Sequence, residues 1–201
     1  MAAPAEKTLK DLNGKWTMNH ALSDSAEPGL ILQGISYLVR KGILMATISL
    51  DVTQYEGPPN PPSESTDIVT HIDIVQSAGS LSSTQENRCA DDVYREHSDW
   101  LFGNVRGKTK WIALEEGEDE YLKGGWEPEA DGKYIRTYVE NDDYGWTADQ
   151  IWGFQIVEGE RYYCRNILIK KGDERAQFRL VYDWTPAPEA AAEVEDEDPA
   201  L

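Results

Sequence analysis

This chain of 201 residues has no long apolar run and few of the residues that carry metal or thiol chemistry. Nothing approaches the roughly 20 consecutive apolar residues of a membrane-spanning helix. It has two cysteines, Cys89 and Cys164, and three histidines, His20, His71 and His97, none at metal-ligand spacing. No metal site is therefore expected. For the cysteines a disulfide and a pair of free thiols both stand, and free thiols suit a reducing compartment. The opening MAAPAEKTLKDLNG lacks an apolar core, so neither a secretory signal nor an anchor is expected. Asn-x-Ser/Thr acceptors are also missing, in keeping with a cytoplasmic address. No nucleophile motif, phosphate loop or dinucleotide fingerprint occurs, so no cofactor is expected.

Positive charge is scarce. Nineteen Lys and Arg stand against 37 Asp and Glu, a formal net charge of −18. Such a field repels phosphate backbones and anionic lipid, which excludes nucleic acid and membrane as partners. Part of the excess lies in Glu189, Glu193, Glu195, Asp196, Glu197 and Asp198. With the strand-breaking Pro186 and Pro188, they predict a disordered acidic tail over 186–201. Residues 1–10 read as a flexible N-terminal arm, leaving one domain over 11–185.

What is abundant is Trp and Tyr, seven and ten against three Phe. Both join an apolar body to a polar tip, which suits cavity walls. Most of the domain alternates with period two. Val105, Gly107, Thr109, Trp111 and Ala113 interleave with Arg106, Lys108 and Lys110; Ala46–Tyr55, Asp67–Gln76, Arg161–Lys170 and Ala176–Trp184 follow the same rhythm. Glu158-Gly159-Glu160 and Lys171-Gly172-Asp173-Glu174 read as hairpin turns. One helical region stands out, about Ser25–Lys41, with Ser23 and Asp24 as candidate caps. It is read as one helix or as a pair bent near Pro28-Gly29. The fold class is thus all-β: an up-and-down antiparallel β-barrel of about ten strands, with a short helical lid after the first.

The segment Leu12-Asn13-Gly14-Lys15-Trp16-Thr17-Met18 resembles the Gly-x-Trp first strand of the calycins, which include lipocalins and intracellular fatty-acid-binding proteins. Ser23-Asp24, then Leu32-Gln33-Gly34-Ile35 and Arg40-Lys41, are similar to the helical lid of the fatty-acid-binding branch. The resemblance implies a barrel with an internal ligand cavity, of a divergent type common in fungi, and a structural plug at Trp16. It does not extend to the carboxylate-binding Arg-x-Tyr pair of those carriers. In Arg179-Leu180-Val181-Tyr182 the two side chains point to opposite faces.

Candidate site residues follow from strand faces. Tyr134, Arg136, Tyr138 and Glu140 share one face; pointing inward they offer a cation, two phenols and a carboxylate to a ligand, and pointing outward they form a solvated ion-pair face. Trp111, Trp152 and Phe154 are cavity-lining or core aromatics. His71 and Asp73 share a face and make either a base oriented by a carboxylate or a surface pair; with Glu140 they are the candidate catalytic groups. Two functions fit: a carrier or binding protein for a small hydrophobic or amphipathic molecule, or a cofactor-free isomerase or cyclase acting in the same cavity on a polyketide- or terpenoid-like substrate of secondary metabolism.

Overall fold

The computed structural model describes residues 1–79 and 83–186. Period-two alternation is what closes the chain on itself: every strand has one face to bury and the barrel supplies a single interior. The strands are β1 (Gly14–Met18), β2 (Ile48–Gly57), β3 (Val69–Ala78), β4 (Ser83–Cys89), β5 (Arg95–Asp99), β6 (Gly103–Ala113), β7 (Lys133–Asn141), β8 (Trp146–Val157), β9 (Glu160–Lys171) and β10 (Glu174–Thr185). They form one antiparallel sheet in the order β4-β3-β2-β1-β10-β9-β8-β7-β6-β5. Strands consecutive in sequence make every step but one, and β1 closes the run by pairing with β10, Trp16 opposite Trp184. The barrel is nearly complete. The strands β4 and β5 are its two free edges.

Turn chemistry sets the register. Glu158 and Gly159 both adopt positive φ, 51° and 86°, the two-residue geometry that matches strand twist. Gly172, at φ 58°, begins the two-residue link from β9 to β10.

Trp16 plugs one end of the barrel and is fully buried. Its ring lies 5.1 Å from Tyr163 and 4.8 Å from Trp184, and its Nε1 donates to the Leu12 carbonyl at 2.9 Å. Gly14 is required beside it: a Cβ there would run into the Trp184 ring, and φ is 119°. That end is solid core, with Phe154, Leu50 and Ile72 packed around the indole.

The other end is covered by α1 (Glu27–Leu32) and α2 (Tyr37–Met45). They are a pair, but the break falls at Gly34, φ 80°, rather than at Pro28-Gly29. Pro28 occupies the first turn of α1, where its missing N–H costs nothing. Ser23 and Asp24 cap no helix. Instead they receive the backbone N–H groups of Val181 and Arg179 from β10. Gly29 brings α1 onto Phe178 and Ile169, too close for any side chain. A short α3 (Glu120–Lys123) covers the outside of β8 and β9.

The first ten residues, expected as a flexible arm, lie against the barrel. Ala3 and Leu9 are buried, and the Ala3 N–H donates to Arg161 O at 2.7 Å. Apolar side chains spaced along a polar segment gave too weak a period to register as an element. Of the expected acidic tail, residues 187–201 fall outside the described residues. Among the described residues no helix is long and apolar enough to cross a membrane.

Candidate functional site

Between the Trp16 plug and the helices lies a cavity of about 890 Å³. Its upper walls are apolar because three neighbouring strands turn the same kinds of side chain inward. β9 contributes Ile167 and Ile169, β10 Phe178 and Leu180, and β8 Trp146 and Ala148. Leu30, Ile43 and Leu44 line it from the lid.

One step nearer the plug, the same strand faces become polar. Arg165 precedes Ile167 on β9, Tyr182 follows Leu180 on β10, and Gln150 follows Ala148 on β8. Leu180 and Arg165 are register partners, so Tyr182 and Arg165 meet across the β9–β10 hairpin. The Arg165 guanidinium stacks on Trp152, 3.9 Å from the ring centre, and lies 5.3 Å from Tyr182. Its Nε donates to the Tyr163 hydroxyl at 2.9 Å. Its Nη2 is buried without a partner, and the residue as a whole is only 6% exposed.

Across the cavity, Glu86 and Arg88 on β4 face inward. Arg88 grips one carboxylate oxygen of Glu86 through Nε and Nη2, at 3.0 and 2.5 Å. Burial alone would raise the Glu86 pKa, but Arg88 and Arg165 outweigh it and hold the carboxyl below its ordinary value. The cluster therefore carries two guanidiniums and one carboxylate, and Arg88 already occupies the carboxylate. Burial pushes the phenols of Tyr163 and Tyr182 up, so both are protonated hydrogen-bond donors at neutral pH. An amphipathic cavity results, greasy under the lid and cationic at its floor.

The strand β7 presents Ile135, Thr137 and Val139 to the interior, the first two fully buried. Of the two orientations open to Tyr134, Arg136, Tyr138 and Glu140, the structure therefore shows the outward one. Arg136 forks onto Asp149 at 2.9 and 2.7 Å, and Glu140 accepts from Arg106 and from Tyr94. Burial, then Glu140, pushes the Tyr94 phenol up to about 12. With Tyr138 these groups form an external groove of about 410 Å³ in which cations and carboxylates are matched. Tyr134 is shut under the loop after α3, its hydroxyl donating to Glu127 O at 2.7 Å.

His71 and Asp73 also lie on the outside of the sheet, since Ile72 and Ile74 take the interior. His71 stacks on Tyr55 and bonds the Pro58 carbonyl, pinning the proline-rich loop. Trp152 and Phe154 do point inward, Trp152 as the shelf beneath Arg165 and Phe154 within the plug. Trp111 packs against the core and donates to Thr70 Oγ1 at 3.2 Å. Both cysteines are free and buried.

Arg165, Glu86, Arg88 and Tyr182 escaped the sequence reading as site residues. One signal for Arg165 was present: in Tyr163-Cys164-Arg165-Asn166-Ile167 a cation shares a face with Tyr163, Ile167 and Ile169. A charge on an otherwise apolar strand face is the mark of a site. Glu86 and Arg88 sit in Ser83–Cys89, whose polarity disguises it as a loop.

Among the described residues no cluster of three or more His, Cys, Asp or Glu could hold a metal. No protein-family model matches the sequence. The barrel resembles a variant of the fluorescent protein UnaG with a TM-score of 0.54 and 12% identity, covering 88% of this chain and 97% of that one; this likeness concerns fold. The chain is 36% identical to the "probable pericyclase scpY" of Mollisia scopiformis over 91% of its length and 94% of that protein's. It is 30% identical to the "pericyclase pydY" of an Acremonium species, over 92% and 97%. Matches of this extent, on a calycin barrel with an amphipathic interior, show that the chain belongs to the family of fungal pericyclases that includes scpY and pydY.

Proposed function

We propose that this barrel is itself a pericyclase, folding a flexible, carbonyl-bearing polyene into the geometry of ring closure. The observation that carries the reading is the Arg165 guanidinium at the floor of the apolar cavity, with its Nη2 buried and unpartnered. A concerted cyclisation forms and breaks bonds without a nucleophile or a redox group. What it needs is a folded chain and a polarised π-system. The volume of about 890 Å³ lies within the usual 300–1,000 Å³ range of small-molecule sites. Its apolar walls hold the two reacting segments together, which removes rotational freedom before the reaction begins. The Arg165 guanidinium, with Tyr182 beside it, donates to a substrate carbonyl and withdraws electrons from the conjugated alkene, an effect strengthened by the low dielectric of the interior.

Sequence reading favoured a carrier and kept a cyclase as the alternative; kinship with named pericyclases and the aimed guanidinium support the second. The test is turnover of a synthetic linear polyene bearing an enone at one end. Conversion to a cyclic isomer of identical mass, faster than in buffer and enriched in one enantiomer, supports the proposal. Recovery of the bound polyene unchanged, or racemic product at the buffer rate, favours the carrier.

A further inference from the structure

The cavity holds a second set of groups that a concerted cyclisation does not use. On β5, Arg95, His97 and Asp99 face inward, since their register partners Gly107, Val105 and Gly103 do. His97 Nε2 lies 3.4 Å from Asp99 Oδ2. Asp99 is itself held: its Oδ1 accepts the N–H groups of Leu101 and Phe102 at 2.8 and 2.6 Å. An imidazole backed by a fixed carboxylate is the arrangement of a general base, and separations of this size in a free enzyme tighten when substrate binds. The His97 side chain is 42% open, so its Nδ1 remains free for exchange while Nε2 is turned to Asp99.

The charged groups meeting His97 are few. Asp99 comes from its own strand, Glu86 and Arg88 from β4, and Arg165 from β9 lines the same chamber. Arg95 is committed to Asp91. Glu86 feels the charges of both His97 and Arg165 and lines the same chamber.

We propose that the cavity is also a tautomerase: His97, held by Asp99, takes a proton from a conjugated carbonyl substrate while the Arg165 guanidinium holds the carbonyl oxygen. This rests on the reading of the cavity as a site for a carbonyl-bearing polyene. Arg165 on β9 and His97 on β5 are separated by three strands of the wall, so the proton comes from a carbon vinylogous to the carbonyl. That C–H bond breaks and its electron pair becomes a new C=C. The double bonds shift along the chain, the carbonyl π pair moves to oxygen, and the proton passes to Nδ1 of His97. Its return to oxygen or to another carbon gives an isomer of the same mass. No oxidant or further reactant enters. The step creates the diene in the chamber where it reacts, which assigns the substrate class: a conjugated enone or dienone with an enolisable C–H at its far end.

The experiment uses the full chain in D₂O with a straight-chain dienone methyl ketone bearing a terminal saturated tail. Binding is read from tryptophan fluorescence, and deuterium uptake at the remote CH₂ by NMR. Uptake above the buffer rate is expected. In His97→Gln it should fall on the order of 100-fold with binding and melting temperature unchanged. Asp99→Asn should keep binding but lower uptake and displace the pH profile, the sign of a positioning residue. Uptake at the wild-type rate in His97→Gln, or a bound dienone that takes up no deuterium, overturns the proposal. A dienone that does not bind at all defeats the cavity reading itself, and the tautomerase with it.

Discussion

The guanidinium of Arg165 lies 3.9 Å from the centre of the Trp152 ring with one nitrogen unclaimed. Stacking, one bond to Tyr163 and the nearby Glu86 carboxylate hold the cation, but the buried, unpartnered Nη2 is a cost that natural sites accept where function needs it.

Arg165→Met therefore separates stability from activity. The thermal midpoint should rise or stay level, while cyclisation of the linear polyene falls on the order of 100-fold, as when one oxyanion donor is lost. Differential scanning calorimetry with parallel turnover assays checks both. A lowered midpoint with full activity would show that the cation is purely structural.

Glu86→Gln leaves Arg88 and Arg165 without their shared counter-charge. Because Glu86 is about a third open to the cavity, the loss should be about 1–2 kcal/mol, below the 3–5 of a fully buried pair. Its sign with pH is fixed. A carboxyl depressed in the folded state contributes stability above its unfolded value of 4.5, and that contribution disappears as pH falls through the lower folded value. Urea titrations of the wild type over roughly pH 6 to 3 should show an acid loss that is smaller in the variant. Parallel curves would place the acid sensitivity elsewhere.

Arg136→Met and Tyr138→Phe alter the external groove. Each should leave cyclisation within about twofold of wild type, and Arg136→Met should cost about 1 kcal/mol through its pair with Asp149. A tenfold loss of turnover in either would move the site to the outside of the barrel.

Trp16→Ala empties the plug. About 3–5 kcal/mol of stability should go, the range for a fully buried large aromatic, measured as a shift of the denaturant midpoint. Retention of the wild-type midpoint would contradict the view that this end is solid.

Much of the fold was legible because it rests on local rules. Alternation in Val105–Ala113, Gly159 and Gly172 at the turns, and Gly14 before Trp16 each state their own geometry. The site was harder to read, because its members come from strands far apart in sequence. Arg165 and Tyr182 meet only through the β9–β10 register, and Glu86 joins them across the interior. The orientation of β7 was decided by Thr137, a polar residue that is nonetheless fully buried, so polarity alone could not say which face was inner. Sequence did exclude the Arg179–Tyr182 pair as a carboxylate clamp. The structure supplies the reason that Tyr182 still has an arginine: it borrows one from the neighbouring strand.

The free edges β4 and β5 give the wall a seam. Along it the strands are short, 7 and 5 residues, and rich in charge, features that discourage edge-to-edge aggregation. No ladder joins them, so parting the seam breaks no backbone hydrogen bonds between them. Glu86, Arg88, His97 and Asp99 flank this seam, so the charged groups of the cavity are carried by the stretch of wall that no ladder closes.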